Sequence, residues 1–152
     1  MSQSALQLYQ SVVLEHNRSP RGYGDVPGAT AFAEGFNPIC GDRVKVQLMT
    51  GDGKLTKVGF TAQCCALCQA SASVMVEVVS NQSVSDALAA ARSFEPFIQN
   101  PSDQSSILSK SPAQAFQAIR EFPARAKCVL LPWRTLLSAL SDQHPVSTEP
   151  KE

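Results

Sequence analysis

The chain has 152 residues and a mass of 16.3 kDa, the size of one domain around one core, which excludes a multidomain machine. Thirteen basic residues balance thirteen acidic ones, for a formal net charge of zero and a pI near 6.7, so no global field attracts a polyanion and nucleic acid is excluded as an electrostatic partner. Hydrophobic residues at 43% against charged residues at 17% exclude wholesale disorder; no window nears the roughly 20 apolar residues of a membrane span, and MSQSALQLYQ lacks the order of an export signal, so a cytoplasmic protein without a membrane partner is expected.

In chain order, Leu6, Tyr9, Val13 and His16 recur at helical spacing and predict an amphipathic helix from Ser4 to about Asn17, with Ser4 and Gln7 in the order of a capping box. Two prolines and three glycines in NRSPRGYGDVPG (17–28) predict a surface loop. Val44, Val46 and Leu48 then share one face of RVKVQLMT, Gly51-Asp52-Gly53 is turn chemistry, and Val58, Phe60 and Ala62 share a face of the following run. That pattern is a β-hairpin, and Ala29 to Phe36 supplies a third strand for a small antiparallel sheet.

After Cys65 the period becomes helical through Leu67, Ala70, Val74 and Val78. Ser83 begins a capping sequence for a second helix, from Asp86 to about Phe94, and the polar stretch from Glu95 to Lys110, with Pro96 and Pro101, reads as an irregular surface excursion. Ser111-Pro112 starts a short helix through Phe116 and Ile119, and Glu121-Phe122-Pro123 interrupts it. A last helix from about Ala126 carries Val129, Leu130, Trp133, Leu136, Leu137 and Leu140, with Pro132 limiting or kinking its first turn. Strands first and helices later make an α+β domain over residues 1–140, a three-stranded antiparallel sheet packed by about five helices, followed by a loose tail at 141–152.

Five cysteines, Cys40, Cys64, Cys65, Cys68 and Cys128, stand in a chain with no export signal, so metal binding or thiol chemistry is favoured over a disulfide framework. Cys40 falls just before a strand, Cys65 between a strand and a helix, and Cys128 at the start of the final helix, positions that can converge at one end of a small domain. With Asp42 they supply three thiolates and a carboxylate, a chemically sensible tetrahedral set for zinc in which the carboxylate is the more exchangeable ligand. Helix N-termini near Cys65 and Cys128, and the cation of Lys127, are expected to favour thiolates. The plain alternative is burial: an isolated free cysteine is usually a small core residue, and Cys64 is read that way. Cys65-Ala66-Leu67-Cys68 matches C-x-x-C, but without a βαβ pattern a thioredoxin-like role is disfavoured. His16 and His144 lie away from the cysteine segments and read as helix-face and tail residues.

Asn37-Pro38-Ile39-Cys40-Gly41-Asp42, Cys65 through Ala70-Ser71-Ala72-Ser73, and Phe122-Pro123-Ala124-Arg125-Ala126-Lys127-Cys128, preceded by Leu8-Tyr9 and Glu15-His16-Asn17-Arg18-Ser19-Pro20-Arg21, resemble the IscU/NifU-N/SufU family of iron-sulfur assembly proteins in collinear order. The SufU branch is the more similar. Lys127 stands where the IscU branch has histidine, Phe122-Pro123-Ala124-Arg125 replaces that branch's chaperone-binding stretch, and the segment from Glu95 to Ser111 is similar to an insertion of SufU members.

The resemblance implies zinc held by Cys40, Asp42, Cys65 and Cys128. It also implies sulfur taken from a SufS-type, PLP-dependent cysteine desulfurase onto Cys40, with Arg125 holding the site or the partner and downstream iron-sulfur assembly proteins as recipients. The alternative it leaves is a scaffold for a transient [2Fe-2S] cluster on Cys40, Cys65 and Cys128, and a purely structural zinc module is a third reading. Cys64 and Cys68 depart from the branch, which has small non-thiol residues and serine at those places.

Overall fold

In the computed structural model, residues 3–100, 107–141 and 146–147 are described. Alternation builds the sheet. Strands β1 (Ala31–Asn37), β2 (Asp42–Gly51) and β3 (Lys54–Gln63) pair antiparallel in the order β3-β2-β1, with Asn37 opposite Asp42 and Arg43 opposite Gln63. Ala33, Val44, Val46, Leu48, Val58 and Phe60 are buried on one face, while Glu34 and Arg43 are exposed on the other, as strand periodicity requires. A two-residue strand β4, Val146–Ser147, lies parallel to Gly35 and Phe36. Of the tail expected to be loose, Ser141 ends the last helix and β4 is described; the rest, His144 included, lies outside the described residues.

Helix α1 (Gln3–Arg18) begins one residue before the expected cap at Ser4. Helix α2 (Ala66–Val79) packs against both α1 and α4 (Ala126–Ser141), and α4 lies on β1 and β2. Being enclosed, α2 is buried on almost every side, so its polar side chains must be satisfied within the core. Ser71 Oγ donates to the Val129 carbonyl at 2.6 Å and accepts from Trp133 Nε1 at 3.1 Å. Ser73 Oγ accepts the Arg21 amide at 2.8 Å and meets His16 Nδ1 at 2.7 Å. His16 is therefore a buried, hydrogen-bonded histidine on the inner face of α1, and burial, then the Arg21 cation, lowers its pKa. Gly35 lets α4 close on the sheet, because a Cβ there would collide with Thr135.

One expectation fails. Helix α3 (Val84–Gln99), capped by Ser83, runs straight through Pro96, where an irregular excursion is expected from the composition. Pro96 forfeits one helical hydrogen bond, at a cost of about 3 kcal/mol, but Phe94, Phe97 and Ile98 are all buried around it, each contributing roughly 1.5–3 kcal/mol. The apolar face outweighs the breaker. Ile107–Lys110 forms a 3-10 turn, and residues 101–106 lie outside the described residues. The short helix expected after Ser111-Pro112 is present as a 3-10 helix, Pro112–Glu121, with Ser111 Oγ accepting the Ala113 amide at 3.1 Å. Pro132 lies inside α4 without ending it.

Candidate metal and sulfur site

The turn from β1 to β2 is built by its own sequence. Proline follows Asn37, and Gly41 takes φ 76°, a left-handed conformation that favours glycine. The Asn37 side chain, fully buried, accepts the Ile39 amide on Oδ1 at 3.1 Å and donates from Nδ2 to Cys40 Sγ at 3.5 Å. The Gly41 amide closes the turn on the Asn37 carbonyl at 2.8 Å. Cys40 is left exposed at the tip, beside Ile39, which is 74% exposed.

Asp42, the first residue of β2, points inward and is 4% exposed. Its Oδ1 accepts the Cys65 amide at 3.1 Å and its Oδ2 accepts the Cys65 thiol at 3.7 Å. Cys65 itself caps α2, its Sγ accepting the Cys68 amide at 3.4 Å. Cys128, buried in the first turn of α4, completes the group: one donor atom each from Cys40, Asp42 and Cys128 lie within 4.8 Å of one another. Three of the four expected ligands thus converge directly, and Cys65 joins through the Asp42 carboxylate.

Ligand sulfurs of a tetrahedral zinc stand roughly 3.8 Å apart given Zn–S bonds of about 2.3 Å. The thiolate and carboxylate donors of Cys40, Asp42 and Cys128, within 4.8 Å of one another, are of the type and near the spacing such an ion takes. Electrostatics point the same way. Burial, then the neighbouring Cys65, Asp42 and Cys40, pushes the Cys128 thiol well above its ordinary range, so the helix N-terminus and Lys127 do not produce the lowered value expected from sequence. Packed thiols and a carboxylate oppose one another's ionisation, and a divalent cation between them reverses that opposition.

Arg125 is the remaining residue that the resemblance implicates. It ends the 3-10 turn Pro123–Arg125, is exposed, and its charge acts on Tyr9. Tyr9 is the residue that periodicity assigned only to a helix face: burial raises its hydroxyl, Arg125 lowers it, and Cys65 and Cys128 raise it, so it lies beside the site. Its ring stacks on Phe122 with centroids 6.3 Å apart. Asn37 is the other residue whose part was unspecified; asparagine ahead of Pro-x-Cys-Gly is the signal, because its side chain bonds the backbone two residues on. Cys64 is half-buried and Cys68 fully buried, and neither belongs to the converging group.

The model of the NifU-like N terminal domain matches residues 8–129. The chain is 30% identical to the zinc-dependent sulfurtransferase SufU of Bacillus subtilis (strain 168) over 129 residues, covering 85% of this chain and 86% of the relative. It is also 30% identical to the iron-sulfur cluster assembly scaffold protein IscU of Streptococcus pyogenes serotype M1 over 136 residues, covering 88% and 82%. Among solved structures, a SufU from the thermophile Fervidobacterium islandicum AW-1, described as an iron-sulfur cluster assembly scaffold for the SUF system, superposes with a TM-score of 0.79 at 30% identity, covering 88% of this chain and 97% of that one.

Proposed function

From the premise that this chain belongs to the NifU-like N terminal domain family, we propose that it acts in iron-sulfur cluster assembly as a zinc-bound sulfur acceptor for a cysteine desulfurase. The observation that carries this reading is the unequal burial of the donor group. Asp42 and Cys128 are enclosed, whereas Cys40 stands exposed on a turn tip within 4.8 Å of both. Within that trio the group is anchored from inside and open at Cys40, with Cys65, also exposed, on its open side, and exposure suits a ligand that leaves the metal to react.

Cys40, Asp42, Cys65 and Cys128 would hold the ion. Zinc, when bound, keeps thiols ionised at neutral pH without redox chemistry of its own. Cys40 as a thiolate attacks the outer sulfur of the desulfurase persulfide; the sulfur–sulfur bond breaks, the desulfurase cysteine leaves as a thiolate, and Cys40 keeps the persulfide. Asn37 orients Cys40 through its Nδ2–H. Exposed Ile39 and Phe122 offer apolar contact for the partner near the acceptor, and Arg125 adds a cation on the same side as Tyr9.

A scaffold holding a [2Fe-2S] cluster on Cys40, Cys65 and Cys128 is the second reading, favoured by the approach of both Cys65 and Cys128 to the Asp42 carboxylate. The test is alanine release by a SufS-type desulfurase with and without the zinc-loaded protein under reducing conditions. Stimulation with persulfide on Cys40 supports the acceptor. Absence of stimulation together with anaerobic loading of a cluster supports the scaffold instead.

A further inference from the structure

The sheet has a second face that the donor group does not use. Helices α2 and α4 pack on the face holding Val44, Val46 and Phe60. On the opposite, open face the register lines up Phe36, Arg43 and Gln63 in one row across β1, β2 and β3, with Glu34, Lys45 and Thr61 in the next. These two rows and Tyr23 line a groove of about 580 Å³, within the roughly 300–1,000 Å³ of ligand clefts. Along its middle run the two cations of β2. Among the described residues, no hydrogen bond or ion pair engages the Arg43 guanidinium, and the Lys45 ammonium has the Phe32 ring for a neighbour, 5.4 Å from its centroid. Phe36 is 39% and Tyr23 52% exposed, so both rings stand open to an occupant of the groove.

We propose that this groove docks an extended acidic segment of a partner protein, with carboxylates on alternate residues set against Arg43 and Lys45. Charge and spacing carry it. Two cations stand in the groove against one acid, Glu34. Arg43 and Lys45 lie two residues apart on one strand, roughly 6.5–7 Å along it, which is the separation of carboxylates two residues apart in an extended peptide. Arg43 offers a planar fork to a carboxylate and Lys45 a point charge. Glu34 accepts a main-chain N–H of the segment, and the rings of Phe36 and Tyr23 give its flanks apolar contact. Asp42 points into the core and Cys128 lies in α4, on the other side of the sheet, so occupation leaves the donor group in place. The Phe36–Arg43 pair adjoins the Asn37–Asp42 pair, and a docked partner therefore stands one step from the turn that bears Cys40. The proposal holds for a sulfur acceptor and a scaffold alike, since it uses none of the donor side chains.

The test titrates the full-length, isotope-labelled protein with the blocked peptide acetyl-Thr-Glu-Val-Glu-Thr-amide at low salt and follows the backbone amides by NMR. A second peptide with glutamine in place of both glutamates is the control. The expected result is saturable shifts at the amides of 34–36, 43–45 and 61–63, none with the control peptide, and a loss of about tenfold in affinity in Arg43→Gln and in Lys45→Gln. Both substituted side chains reach solvent, so both variants should keep the parent's melting temperature. No saturable shift up to millimolar peptide, shifts of the same size at Cys65 and Cys128, or parental affinity in both variants overturns the proposal. So does glutarate binding as tightly as the peptide, which makes the occupant a small dianion. Shifts at 43–45 in the full-length Glu149→Gln, Glu152→Gln protein without peptide also overturn it, by making the chain's own tail the occupant.

Discussion

The sheet has two hairpin turns, and they are held in opposite ways. At one end, Gly53 takes φ 76° between β2 and β3, and the turn is bolted to the α2–α3 connection: the Val84 amide bonds the Gly53 carbonyl at 2.8 Å, Leu55 bonds Gln82 at 2.9 Å, and Asn81 bonds Leu55 at 3.0 Å. At the other end, Gly41 has the same φ of 76°, but the turn carrying Cys40 is closed on itself, through Asn37 and the Gly41 amide. Backbone bonds to a neighbouring segment make a turn stiff, whereas self-closure defines its shape and leaves the tip free to meet a partner. A glycine at the same φ thus serves a turn tied to its neighbours at one end and a self-closed turn at the other.

The largest effect that sharpens this contrast is Cys40→Ser. Persulfide loading from a desulfurase should fall to background by mass spectrometry while the circular dichroism and melting temperature stay near those of the parent, because the side chain is exposed. Normal loading of that variant would sink the acceptor role.

Next in size is Asp42→Ala, which removes a buried carboxylate and strands the Cys65 amide it accepts. Zinc affinity in a competition titration should drop by at least the roughly 10- to 100-fold found when residues behind a metal's ligands are changed. A loss no greater than that of an exposed carboxylate variant would remove Asp42 from the ligand set.

Asn37→Ala should cost about 1–3 kcal/mol, read by denaturant unfolding, since the Ile39 amide loses its acceptor in a part-buried turn. It should also slow sulfur loading more than it lowers zinc content, because the change loosens Cys40 rather than removing a ligand.

The smallest effect separates the two turns most directly. A Cβ at Gly41 or at Gly53 would meet no atom within 4 Å, so alanine at either costs only the left-handed strain, about 1–2 kcal/mol. Gly41→Ala and Gly53→Ala should therefore lower stability equally, while only Gly41→Ala reduces desulfurase stimulation. Equal loss of stimulation in both would break the comparison.

Much of the fold was legible because it is local. Val44, Val46 and Leu48 alternate, Gly53 marks its turn, and Ser83 and Ser111 mark helix starts by caps whose hydrogen bonds span two or three residues. Pro96 was misread for the opposite reason: whether a proline ends a helix depends on what its neighbours bury, and the burial of Phe97 and Ile98 is a property of the assembled core. Residue types at the site were equally plain, since Cys40, Asp42, Cys65 and Cys128 each sit at an element boundary. Their ionisation was not, because helix-end arguments treat one thiol at a time and Cys128 is governed by burial and by three neighbours from other segments.

By itself, the order of residues determined the three main strands, the turn between β2 and β3 and the caps at Ser83 and Ser111, which rest on alternation and on interactions a few residues in reach. Only the tertiary structure decided that Cys40 faces solvent while Cys128 does not, and that Tyr9 of the first helix lies beside thiols more than fifty residues away. Exposure and charge coupling depend on which surfaces meet when helices close on a sheet, and no local pattern contains that.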